Sequence, residues 1–243
     1  MEKITGVILA GGKGTRMNGS KPKVLMEIEG KPMIKRIAEC FDPADFKKTI
    51  VVVGDLKSEI ARVLASDIRF ARQAEPKGTL DAFKSALPFL TDGDTALVVP
   101  ADIPFLTKER LTEIIKFHYE TQGKAVVVGM KVENPKGYGR LTIRNNRLSI
   151  IEEKEANSAE KMIPYVNTGI YVFPISLVKD LVNQVTNRNQ SGEYYLTDLV
   201  ALLAEKDQIV PLYYPEDYTL KGVNDLTSLK SLLEEKARQE KGN

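Results

Sequence analysis

One glycine-rich stretch near the amino terminus organises the chain: Leu9-Ala-Gly-Gly-Lys-Gly-Thr-Arg-Met-Asn-Gly-Ser-Lys-Pro-Lys-Val-Leu25. An apolar run leads into three glycines between Gly11 and Gly14, and the cations Arg16 and Lys23 follow. Glycine has no Cβ and tolerates positive φ, so successive backbone N–H groups can converge on an anion. The stretch predicts a phosphate-binding loop; a plain tight turn with solvated basic side chains is the ordinary alternative.

The spacing of this stretch excludes two common phosphate-binding motifs. A Walker A loop needs Lys-Ser or Lys-Thr after its second glycine, whereas Lys13 is followed by Gly14. The dinucleotide fingerprint needs a third glycine three residues after Gly14, where Met17 stands. A phosphate chain held beside Arg16 and Lys23 therefore remains the expectation, in a loop of another type.

Composition is that of an ordinary globular protein. Of 243 residues, 42% are hydrophobic, and 35 basic residues nearly balance 33 acidic ones, which argues against a surface that coats nucleic acid. The single cysteine, Cys40, excludes an internal disulfide and suits a reducing compartment. No apolar run approaches the roughly 20 residues of a membrane helix, and the first residues do not resemble a signal peptide. We expect a cytoplasmic protein with small-molecule substrates and neither nucleic-acid nor membrane partners.

Strand and helix patterns alternate through the first half of the chain. Strands are predicted over residues 4–10, 49–53, 68–71, 95–100 and 125–130, and helices over residues 33–41, 58–64, 79–90 and 107–119. This alternation predicts an α/β fold with a mostly parallel twisted sheet and helices on both faces. Ligands of such sheets bind beyond the carboxyl ends of the strands. The glycine-rich stretch and Asp102 both follow strand ends, so we expect them to share one cleft.

The pattern changes after residue 130. Strands are predicted over residues 140–143, 148–151 and 165–173, and helices over residues 193–205 and 225–239. The first two of these strands flank Asn145-Asn146, which is typical of a hairpin turn. We expect a single domain over residues 1–243, in which the second half contributes a small β-rich insert that covers part of the cleft.

Asp102 is a candidate metal ligand. It lies directly after a predicted buried strand, in Val-Val-Pro-Ala-Asp-Ile-Pro, where an isolated carboxylate is costly without a cation. Mg²⁺ takes one or two protein oxygens and completes its shell with water and phosphate. Asn224 would supply a neutral carbonyl oxygen, although Asn224-Asp225 alone is more typical of a helix start.

Gln73, the Gly78-Thr79 pair and His118 are further candidates for polar contacts with a ligand. The amide of Gln73 offers a donor and an acceptor, which suits the edge of a pyrimidine, with a plain surface amide as the alternative. Gly78 and Thr79 open the next predicted helix, where backbone N–H groups can meet an anion. His118 has no cysteine or second histidine beside it in the sequence, which favours a surface or packing role.

Together the motifs resemble those of the sugar-phosphate nucleotidyltransferases, whose signature is Leu-Ala-Ala/Gly-Gly-x-Gly-Thr-Arg-Met, a gap and Pro-Lys. The short gap here is similar to that of the uridyltransferase domain of bacterial bifunctional N-acetylglucosamine-1-phosphate uridyltransferases. Later motifs follow the order of that domain: Gly137-Tyr-Gly-Arg140, Ile151-Glu-Glu-Lys154, Asn167-Thr-Gly-Ile170, Gly192-Glu-Tyr-Tyr-Leu-Thr-Asp198 and Gly222-Val-Asn224. The resemblance covers nearly the whole chain and leaves out the acetyltransferase β-helix of those enzymes.

The resemblance implies a Rossmann-like three-layer nucleotidyltransferase fold and Mg²⁺-dependent uridylyl transfer from UTP to N-acetylglucosamine 1-phosphate, releasing pyrophosphate. The catalytic residues would be Arg16, Lys23 and Asp102, and Mg²⁺ would be bound by Asp102 and Asn224. UTP would lie against Leu9, Ala10, Gly11, Gly12, Lys23, Gln73, Gly78 and Thr79. The sugar would contact Gly139, Glu152, Asn167, Tyr195 and Thr197. Residues 1–130 would then bind the nucleotide, residues 131–224 the sugar, and residues 225–243 would form the C-terminal helix.

Two other functions stay open. The segment Pro100-Ala-Asp-Ile-Pro-Phe105 is similar to that of molybdopterin-type nucleotidyltransferases, so the acceptor can be another sugar phosphate or a molybdopterin- or alcohol-phosphate-type substrate. A non-catalytic regulatory protein that binds a nucleotide sugar is the alternative from another class. Because the β-helix is the trimerising element of the bifunctional relatives, we expect a monomer or homodimer here.

Overall fold

The computed structural model describes residues 4–12, 16–17 and 21–241, without the side chains of residues 16, 17, 21 and 241. Gly14 and the side chain of Arg16, both predicted to lie beside the phosphates, fall outside the described residues. Elsewhere the elements follow the predicted alternation, with boundaries that differ by a few residues.

Nine strands of the described chain form one sheet: β1 (Ile4–Ala10), β2 (Phe46–Val53), β3 (Arg69–Arg72), β4 (Thr95–Pro100), β5 (Ala125–Lys131), β6 (Arg140–Arg144), β7 (Arg147–Ile151), β8 (Tyr165–Pro174) and β9 (Ile209–Tyr214). The α-helices are α1 (Met33–Ala38), α2 (Lys57–Ala61), α3 (Thr79–Ala86), α4 (Lys108–Glu120), α5 (Ile175–Val178), α6 (Leu196–Glu205) and α7 (Leu226–Lys241). Short 3₁₀ turns lie at Lys23–Leu25, Leu87–Phe89, Glu160–Met162, Leu181–Asn183 and Tyr218–Leu220. Two small ribbons pair Arg16–Met17 with Lys21–Pro22 and Glu27–Ile28 with Lys31–Pro32.

The sheet is mostly parallel, as the alternation predicts. Its order is β7-β6-β8-β4-β1-β2-β3, and β5 pairs with both β8 and β9. Strands β1 to β4 run parallel to their neighbours in the β4-β1-β2-β3 half, whereas β8 is antiparallel to β4 and to β5. Leu9 pairs with Pro100, and Ala101 N donates to Leu9 O at 3.0 Å. The carboxyl ends of β1 and β4 therefore lie side by side, with the glycine-rich stretch and Asp102 directly beyond them.

Apolar side chains on the two faces of the sheet build two cores. In β1, the fully buried Val7 and Ile8 point to opposite faces, as successive residues of a strand do. Helices α1, α2, α4 and α7 cover the face of Ile8, and α3, α5 and α6 cover the face of Val7. Burying each such aliphatic side chain contributes about 1.5–3 kcal/mol, so both layers hold the strand ends in place.

Several elements differ from the prediction. Helix α3 ends at Ala86 because Leu87–Phe89 tightens into a 3₁₀ turn at Pro88. The hairpin at Asn145-Asn146 is confirmed, since both residues have positive φ, 50° and 58°. Strand β9 and helix α5 were not predicted. The functional division at residues 130 and 224 stays a prediction, and β8 from the middle segment is hydrogen-bonded to β4 from the first.

Candidate active site

A cavity of about 510 Å³ opens beyond the carboxyl ends of β1 and β4. Its wall brings together most residues that the sequence nominated: Leu9, Ala10, Gly11, Gly12, Lys23, Gln73, Gly78, Thr79, Asp102, Gly139, Glu152, Asn167, Thr197 and Asn224. These residues come from segments spread along the chain, including strand ends, helix starts and strand β8. The segments that follow β1, β3 and β4 meet because parallel strands place the loops after them at one edge of the sheet.

Lys23 and the two predicted metal ligands form one cluster in this wall. Lys23 Nζ donates to Asp102 Oδ2 at 2.8 Å and to Asn224 Oδ1 at 3.1 Å. Val223 N donates to Asp102 O at 2.8 Å, which ties the segment before α7 to the end of β4. The helix cap is Asp225, whose Oδ1 accepts from Ser228 N at 2.7 Å, and so the Asn224 amide is left to contact Lys23.

The donor set of this cluster fits a hard divalent cation. Asp102 Oδ2 and Asn224 Oδ1 converge on a single atom, Lys23 Nζ, so the two oxygens face one point in space. Among the described residues, no group of three or more His, Cys, Asp or Glu side chains could form a closed metal site. One carboxylate and one amide oxygen are the sparse protein contribution that Mg²⁺ accepts when phosphates and water complete its shell.

Gln73 lies beside Gly11 of the glycine-rich stretch and is held there by hydrogen bonds. It lies just after β3, and its backbone N donates to Val53 O at 2.8 Å. Its side-chain Nε2 donates to Asp81 Oδ2 at 2.8 Å and to Gly78 O at 3.2 Å. The residue is 4% exposed, so the alternative of a plain surface amide is wrong.

The turn that opens α3 depends on Gly78. Its φ is +120°, and a Cβ built on it would lie 2.3 Å from Tyr194 O, so only glycine fits. Tyr194 O accepts from Leu80 N at 3.0 Å, and Thr79 Oγ1 accepts from Leu196 N at 2.9 Å. The start of α3, on the predicted nucleotide side, is thereby joined to the start of α6, on the predicted sugar side.

A half-buried carboxylate, that of Glu152, lies on the predicted sugar side. Thr197 Oγ1 donates to Glu152 Oε1 at 2.7 Å. Burial raises the pKa of the Glu152 carboxyl above its usual range, and this effect outweighs the opposing hydrogen bond from Thr197. Negative charge nearby on Asp198, Glu155 and Glu193 adds to the rise. Glu152 thus lines the cavity with a carboxyl group that is protonated more readily than a solvated one.

Asn167 has both ends of its amide engaged with its own strand. Its Nδ2 donates to Tyr171 Oη at 2.6 Å, and its Oδ1 accepts from Gly169 N at 3.1 Å. Tyr171 also lines the cavity and is only 2% exposed. Burial raises the pKa of its phenol far above the usual range, so the hydroxyl stays protonated. The side chains of Asn167 and Tyr171 therefore present fixed hydrogen-bonding groups to the cavity.

The chain that forms this cavity also matches a known protein family over most of its length. Residues 6–236 match the family of MobA-like NTP transferase domains. The chain belongs to this family. It is a nucleotidyltransferase, which confirms the enzyme class expected from the motifs.

Known relatives of this nucleotidyltransferase include the bifunctional protein GlmU of Carboxydothermus hydrogenoformans, which is 39% identical over 233 residues, or 94% of this chain and 52% of that protein. The chain spans about half the length of the curated relatives it matches. The resemblance to the uridyltransferase domain of bifunctional enzymes is thus confirmed.

Two solved structures show the same fold. One is a Bacillus anthracis protein described as a glucose-1-phosphate thymidylyltransferase, with a TM-score of 0.75, 20% identity and coverage of 94% of this chain and 93% of that chain. The other is a UDP-glucose pyrophosphorylase in complex with UDP-glucose, with a TM-score of 0.73, 18% identity and full coverage of both chains. They confirm the Rossmann-like nucleotidyltransferase fold.

Among the described side chains, one predicted site residue of the nucleotidyltransferase is missing from the cavity wall. Tyr195 is absent from the lining; it precedes α6 as the N-cap position, and its phenol contacts Ser191. The side chain of Arg16 lies outside the described residues. His118 is 3% exposed, and its Nδ1 lies 2.8 Å from Lys124 O, as a packing role predicts.

Sequence reasoning also missed contributors to the site. Tyr138 and Tyr171 line the cavity, and Asp81 holds Gln73. Tyr138 stands inside the quoted Gly137-Tyr-Gly-Arg motif, so that motif carried a signal. Tyr171 falls in an apolar strand pattern and Asp81 in a helix start, where neither residue type draws attention.

Among the described residues, no helix combines the length and apolar character needed to cross a bilayer.

Proposed function

We propose that the protein transfers a uridylyl group from UTP to N-acetylglucosamine 1-phosphate, forming UDP-N-acetylglucosamine and pyrophosphate. The observation that carries the proposal is the position of the Lys23–Asp102–Asn224 cluster. It lies in the wall of one cavity that Gln73, the start of α3, Glu152 and Asn167 also line. A triphosphate and a sugar phosphate can thus meet at a cation.

The reaction forms one bond and breaks one. A phosphate oxygen of the sugar phosphate attacks the α-phosphorus of UTP, and the bond to the β-phosphate breaks as pyrophosphate leaves. No protein base is needed, because a phosphate monoester with a second pKa of about 6 is largely dianionic at pH 7. The difficulty is the repulsion between two anions, and positive charge aimed at the reacting phosphates lowers that barrier.

Lys23 and the backbone of Leu9–Gly12 would carry this electrostatic role. In the structure the Lys23 ammonium, 15% exposed, lies between Asp102 and Asn224; with Mg²⁺ bound by those two oxygens, the ammonium would be released to contact the phosphates. Asp102 and Asn224 would hold Mg²⁺, which supplies further neutralisation of phosphate charge when bound. Holding both substrates in line for attack contributes up to about 7–11 kcal/mol in favourable cases.

The sugar would bind against Gly139, Glu152, Asn167 and Thr197. A hydroxyl-bearing ring needs both donors and acceptors at fixed positions, and Glu152 and Asn167 provide them. The resemblance of the motifs to the uridyltransferase domain of N-acetylglucosamine-1-phosphate uridyltransferases supports an amino sugar in preference to other hexoses. We also propose a cytoplasmic location and a monomer or homodimer.

Pyrophosphate release tests the proposal directly. The purified chain is incubated with UTP, N-acetylglucosamine 1-phosphate and MgCl₂, and pyrophosphate is followed over time. Parallel reactions replace UTP with other nucleoside triphosphates, and the acceptor with glucose 1-phosphate, glucosamine 1-phosphate or an alcohol phosphate. We expect the first pair to give the highest kcat/KM. A higher value for another pair would replace the proposed substrates, and tight UDP-sugar binding without pyrophosphate release would indicate a regulatory protein.

A further inference from the structure

The amide of Gln73 is fixed in one orientation by two neighbouring oxygens. Nε2 donates to the carboxylate of Asp81 at 2.8 Å and to the carbonyl of Gly78 at 3.2 Å. Both partners are acceptors only, so turning the amide over would set its own carbonyl against two oxygens. The orientation of this amide therefore follows from its partners.

The opposite end of the amide faces the glycine-rich stretch. A Cβ built on Gly11 would lie 2.2 Å from Gln73 Oε1, so the carbonyl oxygen occupies the space that the missing side chain leaves. Gln73 and Gly11 both line the cavity. Among the described residues, none is found donating a hydrogen bond to this oxygen. Asp81 thus fixes the Gln73 amide so that its carbonyl oxygen, a hydrogen-bond acceptor, lies beside the loop predicted to hold the nucleotide.

We propose that Asp81 is a positioning residue that makes Gln73 select uracil over cytosine; this inference rests on the proposed function. The two bases have the same ring size and differ along one edge. Uracil has a donating N3–H, whereas cytosine has a bare N3 that accepts. A fixed carbonyl oxygen accepts from uracil N3–H but faces a lone pair in cytosine. A site whose buried polar group is left unpaired by the wrong substrate discriminates strongly.

The ordinary role for Asp81 is that of a negative charge in the first turn of α3, which favours the helix through its dipole. That role predicts an effect on stability and none on the choice of base. Glu109 is likewise an acidic residue in the first turn of a helix, α4, and does not line the cavity. Glu109→Ala is therefore the matched control, since it removes a first-turn charge without touching Gln73.

The experiment compares UTP and CTP in the full chain. Dissociation constants of both nucleotides are measured by titration calorimetry, and kcat/KM is measured with one sugar phosphate, for the wild type, Asp81→Ala, Asp81→Asn, Gln73→Ala, the double alanine variant and Glu109→Ala. We expect wild-type preference for UTP to fall about tenfold or more in Asp81→Ala. Most of this fall in preference comes from weaker UTP binding. Glu109→Ala keeps the wild-type ratio of UTP to CTP affinity. Asp81→Asn falls between, because an asparagine can hold the Gln73 amide either way round.

The double variant separates positioning from direct contact. If Asp81 acts through Gln73, Asp81→Ala changes nothing further in the Gln73→Ala background. An unchanged ratio in folded Asp81→Ala, a further loss in the double variant, or equal wild-type affinity for UTP and CTP would each overturn the inference. Should Asp81→Ala not fold, Asp81→Asn and Gln73→Ala carry the comparison. Absence of pyrophosphate release from the wild type would overturn the proposed function alone, since the binding ratios still test Asp81.

Discussion

Lys23 Nζ donates a 2.8 Å hydrogen bond to Asp102 Oδ2, across 79 positions of sequence. This contact joins the glycine-rich stretch to the residue that follows β4. Lys23 also reaches Asn224, 201 positions away, at 3.1 Å. The Lys23 ammonium, from the beginning of the chain, thus contacts Asp102 from the middle and Asn224 from the end at one point in the cavity wall.

Loss of either member of this pair should abolish most activity and leave the fold intact. Lys23→Ala removes the cation that neutralises the leaving pyrophosphate, and Asp102→Ala removes the carboxylate predicted to bind metal. We expect pyrophosphate release to fall by about 10²-fold or more in each. Thermal unfolding should show a folded protein in both cases. The control is Lys31→Ala, which breaks the surface pair with Glu39; turnover at the wild-type rate in Lys23→Ala or Asp102→Ala would remove the mechanism.

Removing the phenol of Tyr171 should affect the sugar phosphate alone. Tyr171→Phe deletes the acceptor for Asn167 Nδ2, so the amide predicted to contact the sugar loses its fixed position. We expect the KM for the sugar phosphate to rise about tenfold, with the KM for UTP changed by less than about threefold. Tyr165→Phe, on the same strand but 39% exposed, is the control. Equal increases in both KM values would show a general disturbance of the cavity.

The stability of the protein should depend on pH through Glu152. Because burial raises the pKa of this carboxyl, its contribution to stability is full below the ordinary pKa and is lost as pH rises through the raised one. Glu152→Gln should therefore be more stable than the wild type at pH 8, with the difference vanishing in acid. Urea unfolding at a series of pH values measures it.

Glu153→Gln, at the next position in the sequence, is a control for which the change in stability at pH 8 should have the opposite sign. Burial would raise the pKa of the Glu153 carboxyl, but the hydrogen bonds from Arg140 at 2.7 Å and from Gly137 N at 3.2 Å, together with the positive charge of Arg140 and Lys161, lower it. Its contribution is present at neutral pH and lost as pH falls through the lowered pKa. This variant should thus be less stable than the wild type at pH 8. A pH-independent difference in either variant would contradict the assignment.

The parts that sequence predicted best are those with regular local patterns. The bounds of β1 and β4 match the prediction because both are continuous, β-branched apolar runs between turn residues. Their shared edge then brings the nominated residues to one cavity. Strand β9 was missed because Pro211 interrupts its pattern; it lies at the sheet edge, paired only with β5 among the described strands, where proline is tolerated.

The residues that hold other site residues in place through hydrogen bonds could not be predicted from the sequence. Asp81 reaches back eight positions to Gln73, and only the fold shows that a first-turn carboxylate meets an amide after a strand. Tyr171 belongs to an apolar strand pattern that predicts a core side chain. Its ring is buried as predicted, but its hydroxyl accepts a hydrogen bond from Asn167 Nδ2. Tyr195 was nominated by motif, yet in the structure it is the N-cap residue of α6 and is not among the residues that line the cavity.

Gly78 should not tolerate a side chain. Alanine there would combine a φ of +120° with an overlap at 2.3 Å against the backbone oxygen of Tyr194. We expect Gly78→Ala to lower the free energy of unfolding by about 2 kcal/mol or more, and to weaken UTP binding because Gly78 O helps to hold Gln73. Gly93→Ala is the control, since nothing lies within 4 Å of its Cβ. Equal unfolding midpoints for the two variants would refute the strain argument.

Asp94 should stabilise the fold at neutral pH through contacts far from the cavity. Its side chain is 2% exposed; burial alone would raise the pKa of its carboxyl, but hydrogen bonds from Lys47 at 2.7 Å and from Thr91 lower it to about 2. The stabilisation is therefore present above the ordinary pKa and is lost as pH falls from about 4 towards 2.

Because Lys47 is 54% exposed and screened by water, we expect Asp94→Asn to cost only about 1 kcal/mol at pH 7. That cost should disappear near pH 2. Asp92→Asn, which breaks an exposed pair with Lys179 in the same turn, should leave the urea midpoint unchanged at every pH. A loss of stability in Asp92→Asn equal to that in Asp94→Asn would show that surface charge in this turn, and not the buried carboxylate, sets its stability.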